Sequence, residues 1–473
     1  MPKLQPEFTS EKRKIRKKKG KRLRQNIPHK SHGKWSAASE RPDPLELLQE
    51  QDQGRIQQLL PIRYGRMLES PFTFYRGSAG VMAADLVASP VTGINTMLCG
   101  DAHLSNFGMF ASPERSLVFD INDFDEAFPG PWEWDLKRLA ASAVIAGRDN
   151  GFSEKACRQL AEDTALTYCR SMDHFTRLST LDQWYYHVKL EALEKVFKRS
   201  SKKGRKGAVN MVEKARKHTL EQTLKKMTRL EKGQLRLVSD PPLVVPYRDM
   251  ILGNYLDRKD LKSCTRKRLQ GTWQNYLDSL PDERRYLLGQ YKVIDAALRV
   301  GGIGSVGTRC FIALLMAKND DDAIILQFKE AGPSVLEPWL KRRGRHKHSG
   351  QRVVTAQRGM QATSDTFLGC SHGEQTGLDY YWRQLKDMKG SADIATLDEE
   401  GLRTYLSVCS WTLARAHART GDEIAIRGYV GKSETFPVAV ATFAVAYGDQ
   451  AERDYEVLLK AVKAGRIPVE KGV

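Results

Sequence analysis

The stretch whose reading decides the fold is Met97 to Ala127, MLCGDAHLSNFGMFASPERSLVFDINDFDEA. It holds two short runs rich in carboxylates and amides. Gly100-Asp101-Ala102-His103-Leu104-Ser105-Asn106 follows an apolar lead-in, and Asp120-Ile121-Asn122-Asp123-Phe124-Asp125-Glu126 follows the β-prone run Leu117-Val118-Phe119. Acidic side chains gathered at strand ends are costly unless something positive sits among them. Magnesium carrying a phosphate suits such a place, because that ion takes oxygen ligands of the Asp and Asn kind. An aspartate that orients a hydroxyl, and an asparagine and an aspartate on one metal, are the parts that phosphoryl transfer needs. Asp101, Asn106 and Asp123 are the candidates. His103 reads as a brace for its loop.

Outward from this stretch, the chain of 473 residues is long enough for one large domain or two to three smaller ones. An apolar fraction of 41% and a charged fraction of 28% describe an ordinary folded chain. The net charge of +19 is uneven: residues 1–40 hold 13 Lys and Arg against 3 Glu. A like-charge block over Lys12 to Lys19 repels itself and offers no core. Residues 1–42 are therefore expected to be a disordered basic tail, with 12–24 free to dock on nucleic acid or an acidic surface. The seven cysteines are scattered, lack a Cys-x-x-Cys pair and read as buried free thiols. No apolar run reaches the length of a membrane span, and no apolar segment follows the basic start as a secretory signal would require. A cytoplasmic location is the expectation.

In chain order, Leu45 to Leu60 predicts amphipathic helix, and Pro71 to Gly77 a strand ending in a turn. After the opening stretch, a helix is expected over Leu136 to Ala146 and more helices over 153–198. Residues 198–236 are dense in Lys and Arg and predict a connecting insertion with an exposed helix. From Leu298 the pattern is a three-strand meander: a first strand, the glycine-rich turn Gly301-Gly302-Ile303-Gly304-Ser305-Val306-Gly307, a strand over Cys310 to Met316, and a third over Ala323 to Lys329. A helix over Gln351 to Thr363, short strands near Phe367 and over 380–385, and helices over Leu402–Ala418 and Pro437–Ala464 complete the reading.

Cys99-Gly100-Asp101-Ala102-His103-Leu104-Ser105-Asn106 resembles the catalytic loop of aminoglycoside- and choline-type small-molecule kinases, H-G-D-x-H-x-x-N. Ile121-Asn122-Asp123-Phe124-Asp125-Glu126-Ala127 resembles their metal-binding motif, and Pro131 to Leu136 the segment after it. The resemblance implies Asp101 as the group that orients and deprotonates an acceptor hydroxyl, Asn106, Asp123 and Asp125 around magnesium, and Asp135 as a brace for the catalytic loop. It further implies Gly301, Gly302, Gly304, Ser305 and Gly307 as a hairpin over the phosphates of ATP, and Lys329 as the lysine on its α- and β-phosphates. Glu337 is the nearest acidic partner expected for Lys329. Leu402 to Ala418 resembles the helix that normally runs directly into the catalytic loop.

The glycine turn and lysine come about two hundred residues after the catalytic-loop motif, the reverse of the usual order. The alternative loop at His417 to Asp422 has Arg427 where the metal-binding asparagine should be, so a circular permutation is the reading that remains. The chain is also similar, over about residues 40 to 460, to a bacterial family known as domain of unknown function 2252, through Gly100-to-Gly108, Trp134-to-Leu139, Val306-to-Cys310 and Ala414-to-Arg419.

The expectation is thus an α+β, two-lobed protein-kinase-like fold in permuted order. Its parts are a catalytic half at 43–197, a basic helical insertion at 198–296, a β-rich nucleotide-binding half at 297–390, and returning helices at 391–473. The expected function is an ATP- and magnesium-dependent phosphotransferase with a small-molecule or protein acceptor. Two alternatives stand beside it: a degenerate kinase-like scaffold that binds a polyanion, and a haloacid-dehalogenase-like phosphatase using Asp123-Phe124-Asp125.

Overall fold

The computed structural model describes residues 11–250, 266–319, 322–340, 346–373, 377–385 and 388–472. It is a mixed α+β structure with open sheets. Its largest sheet is assembled from the second half of the chain. The opening stretch instead lies among short strands: β1 (Asn95–Leu98), β2 (Phe107–Ala111), β3 (Leu117–Ile121) and β4 (Phe128–Pro131). β1 pairs with β4, while β2 and β3 form a hairpin extended by β5 (Val188–Lys189).

Behind these strands runs the helix Glu133–Asp149, buried on nearly every face. The helices Glu154–Phe175, Glu399–Thr420 and Thr435–Lys463 pack round it or on one another. Its Leu139 and Val144 belong to the main hydrophobic cluster with Leu160, Leu413 and Phe443, while its buried Asp135 and Arg138 are paired with the loop around Asp101.

The insertion is not wholly helical as expected. It carries the hairpin β6 (Thr228–Glu231) and β7 (Gln234–Leu237), and β8 (Val244–Pro246), which joins the large sheet. The expected meander is present as β9 (Lys292–Arg299), β10 (Cys310–Met316) and β11 (Ala323–Glu330). With β12 (Gly369–Gly373) and β13 (Leu378–Gln384) the antiparallel order is β12-β13-β11-β10-β9-β8. Phe328 stacks on Phe311 and on Trp382, and Trp382 on Tyr276, which fastens one face; the Phe328 and Trp382 centroids are 4.2 Å apart.

Two local expectations are corrected. Pro71–Gly77 is a helix rather than a strand, because Ser70 and Thr73 form a reciprocal capping box and Pro71 takes the first helical position. The described part of the basic start is structured: Arg13–Asn26 is a helix laid across Glu423–Val430. Its like charges are partly answered by Arg16 on Asp422 at 2.7 Å and by Arg24 on the carbonyl of Gly428 at 2.5 Å. The helices cross so closely at Gly20 that a Cβ there would stand 2.0 Å from the Ala425 carbonyl oxygen. Lys14, Lys17, Lys18 and Lys21 remain exposed on its outer side.

The six described cysteines are free and buried. Among the described residues no helix is long and apolar enough to cross a membrane.

Candidate active site

Gly100 begins the site. Its φ of +79° and the Glu126 carbonyl oxygen 2.2 Å from where a Cβ would be leave room for glycine alone. The turn that follows is pinned by Asp135: its carboxylate accepts the N–H groups of Cys99 at 2.8 Å and Gly100 at 3.1 Å. Asp135 also lies 3.2 Å from Nε2 of His417, whose Nδ1 is 2.8 Å from the Tyr168 hydroxyl. The returning helix Glu399–Thr420 thus braces the loop, and its Arg415 pairs with buried Asp120 at 2.6 Å. The Ala-Arg-Ala-His run thus holds two carboxylates, Asp120 of the opening stretch through Arg415 and Asp135 just beyond it through His417.

Asp101 projects from this pinned turn. Its Oδ1 accepts Nε of Arg138 at 2.5 Å, and Oδ2 stands 3.5 Å from His103 Nε2. Burial pushes the Asp101 carboxyl above its ordinary value, with Arg138 and Arg76 acting against that push. His103 is buried, its pKa driven down by desolvation and by Arg76 and Arg138, and its Nδ1 accepts the Ser105 N–H at 3.2 Å. It braces the loop as a neutral ring. Asn106 donates from Nδ2 to the Asp101 carbonyl at 2.8 Å, which leaves its side-chain oxygen as an available acceptor.

Asp123 accepts the Asp125 N–H at 3.1 Å. Its pKa is raised first by desolvation and then by the Asp125 charge, with Lys329 and Arg383 opposing. Asp125, expected beside Asp123 on a metal, is instead held by the Lys329 ammonium and, at 2.8 Å, by the Tyr381 hydroxyl. Register explains it: Lys329 on β11 faces Tyr381 on β13, so ammonium and hydroxyl leave the sheet side by side. Burial acts against both charges, but the pair outweighs it, lowering the Asp125 pKa and raising that of Lys329.

Glu337 is therefore not the partner of Lys329. It accepts the Ser334 N–H at 3.1 Å and approaches Arg352 at 3.8 Å. Arg352 in turn donates to the carbonyls of Ala127, Asp125 and Gly332, tying the opening stretch to the segment after β11.

The glycine turn links β9 and β10, with one 3-10 turn at Ile303–Ser305 and Gly307 at a φ of +88°. Its backbone is supported from the first half of the chain. Arg55 donates to the Val306 carbonyl at 2.7 Å, the Ile56 N–H to the Gly307 carbonyl at 2.7 Å, and Arg66 to the Gly301 carbonyl.

All of this surrounds one cavity of about 570 Å³, a size suited to a small ligand. Asp101, His103, Asn106 and Asp123 line one side, and Gly301, Gly302, Gly304, Ser305 and Lys329 the other. Gly307, Asp125, Asp135 and Glu337 support the walls from outside the lining. The cavity also receives Arg76, Arg299, Arg383 and Lys389, which local reading did not single out. Arg299, next to the glycine run, carried the one available signal; the others arrive by long-range packing. Lys389 is reached by solvent, yet burial among Arg383, Arg299 and Lys329 pushes its pKa down to about 8, with Asp123 opposing.

No cluster of three His, Cys, Asp or Glu that could enclose a metal occurs among the described residues. A hard cation here would draw on Asp123, the Asn106 oxygen and oxygens of a bound phosphate or water. That donor set fits magnesium, which keeps part of its coordination for substrate phosphates.

The chain belongs to the bacterial family described as "Uncharacterized protein conserved in bacteria (DUF2252)", whose profile matches residues 55–461. No curated protein and no solved structure matches it.

Proposed function

We propose that this protein is an ATP- and magnesium-dependent phosphotransferase acting on a hydroxyl acceptor, built on a kinase-like arrangement in circularly permuted order. One observation carries the reading: Asp101, Asn106 and Asp123 share a single cavity with Lys329 and the glycine turn, although some two hundred residues separate the two sets. The packing of Glu399–Thr420 against the Asp101 loop supports the permutation, since that helix occupies the place of one leading directly into it.

In this reading the glycine turn covers the phosphates with backbone N–H groups, and Lys329, steadied by Asp125, meets the α- and β-phosphates. Asp123 and the Asn106 side-chain oxygen would hold magnesium, which would supply charge neutralisation at the phosphate oxygens. Asp101 orients the acceptor hydroxyl and takes its proton as the acceptor oxygen bonds to the γ-phosphorus. The bond from that phosphorus to the bridging oxygen breaks, leaving ADP. Arg138 keeps Asp101 in one orientation, and positioning supplies much of the rate.

The test is untargeted metabolite phosphorylation with labelled ATP, wild type against Asp123→Asn. Wild type should label one class of hydroxyl compound and the variant none. Equal labelling by a folded variant would remove the assignment. A second reading, polyanion binding, draws on the exposed lysines of Arg13–Asn26. RNA binding by the full chain without any nucleotide binding would favour it.

A further inference from the structure

Three cations in or beside the cavity are already engaged. Arg138 is bonded to Asp101, Lys329 to Asp125, and Arg383 to the Gln327 side chain and the Asn122 carbonyl, both at 3.2 Å. Arg76 differs. It lines the cavity, its Nε is buried, and no acceptor among the described residues takes that N–H. A buried guanidinium donor left open is expensive.

Its place is fixed from two sides. The preceding residue, Tyr75, gives its carbonyl to Arg138 Nη2 at 2.9 Å and its hydroxyl proton to the Arg138 carbonyl at 2.9 Å, so the backbone is locked beside the Arg138–Asp101 pair. On the other side lies the glycine turn: a Cβ built on Gly304 would stand 3.8 Å from the Arg76 carbonyl oxygen. Burial disfavours the Arg76 cation, and the charges of Asp101 and then Glu69 act to favour it. Arg76 therefore sits between the turn that would cover phosphates and the carboxylate that would face the acceptor. That junction is where the transferred group must lie.

We infer that the Arg76 guanidinium binds the terminal phosphate of the nucleoside triphosphate, an inference that rests on the phosphotransferase reading above. A planar fork suits a phosphate's oxygens, and a half-buried guanidinium whose Nε is already out of water has part of its desolvation behind it when the anion arrives. ADP lacks the group that Arg76 meets, so the residue should discriminate ATP from ADP.

The experiment is calorimetric titration of the full chain with ATP and with ADP, each with magnesium, for wild type, Arg76→Met and Arg76→Lys. Wild type should prefer ATP. Arg76→Met should weaken ATP about tenfold or more and leave ADP within about twofold, as losing one charge-assisted contact predicts. Arg76→Lys should recover part of the preference, and undiminished ADP binding by both variants certifies the fold. Equal loss of ATP and ADP, or no loss of either, overturns the role of Arg76 and leaves the phosphotransferase reading standing. Failure of wild type to bind either nucleotide overturns both.

Discussion

The two walls of the cavity are built by opposite strategies. The wall around Asp101 is pinned at every level: Asp135 holds the loop backbone, Arg138 holds Asp101, Arg415 holds Asp120, and buried helices stand behind them. The glycine wall is a turn whose carbonyls are propped by Arg55 and Arg66 while much of its upper surface is open. A Cβ on Gly302 would meet nothing within 4 Å, whereas one on Gly100 would strike backbone. On the proposed function, the buried hydrogen bonds stand where reacting groups would be aimed, and the light covering where a ligand would enter and leave.

The largest effect that could break this contrast is chemical. Asp123→Asn should lower magnesium-dependent turnover by about a thousandfold or more while the far-ultraviolet circular dichroism stays unchanged. Next comes the pinning itself. Arg415→Met strands the buried Asp120 carboxylate and should cost about 3–5 kcal/mol in urea unfolding. If it costs no more than a surface substitution, the wall is not held as described.

The paired glycines sharpen the comparison directly. Gly100→Ala must displace the Glu126 backbone and adopt an unfavourable φ, and should cost about 2–3 kcal/mol. Gly302→Ala should change stability by less than about 1 kcal/mol, and its effect should be on nucleotide binding. Similar melting temperatures for the two variants would erase the distinction between the walls.

A pH titration tests how far back the pinned wall reaches. His32 is fully buried against Tyr429, whose hydroxyl lies 2.6 Å from its Nε2, and burial pushes its pKa from 6.5 down to about 3. The unfolded chain therefore takes up the proton first. The stability is complete above pH 6.5 and lost as the pH falls from there toward 3, by about 1.4 kcal/mol per pH unit. Denaturant midpoints measured across this window should slope less in His32→Phe than in wild type. Identical slopes would mean that the basic segment does not dock through this ring.

Much of this was readable locally. The carboxylate runs, the meander of β9 to β11 and the helix over Glu399–Thr420 announce themselves through turn residues and hydrophobic period, because those signals act within a few residues. At Pro71–Gly77 a capping box outweighs β-prone aromatics. The charged helix Arg13–Asn26 is not legible in the sequence because its stability comes from Asp422 and from carbonyls at 428 and 429, which no local pattern reports. Glu337 is the nearest acid along the chain and so the partner expected for Lys329, but the fold delivers Asp125 from the other half of the chain.

The sequence by itself therefore determined the inventory: which carboxylates, amide, lysine and glycines are available for chemistry, and the local conformations that present them. Only the tertiary structure decided that the two sets share one cavity, that Asp125 belongs to Lys329, and that Arg76 faces the gap between them. The physical reason is range. Backbone propensity and turn chemistry are short-ranged, whereas burial, ion pairing and sheet register join residues hundreds of positions apart once the core has closed.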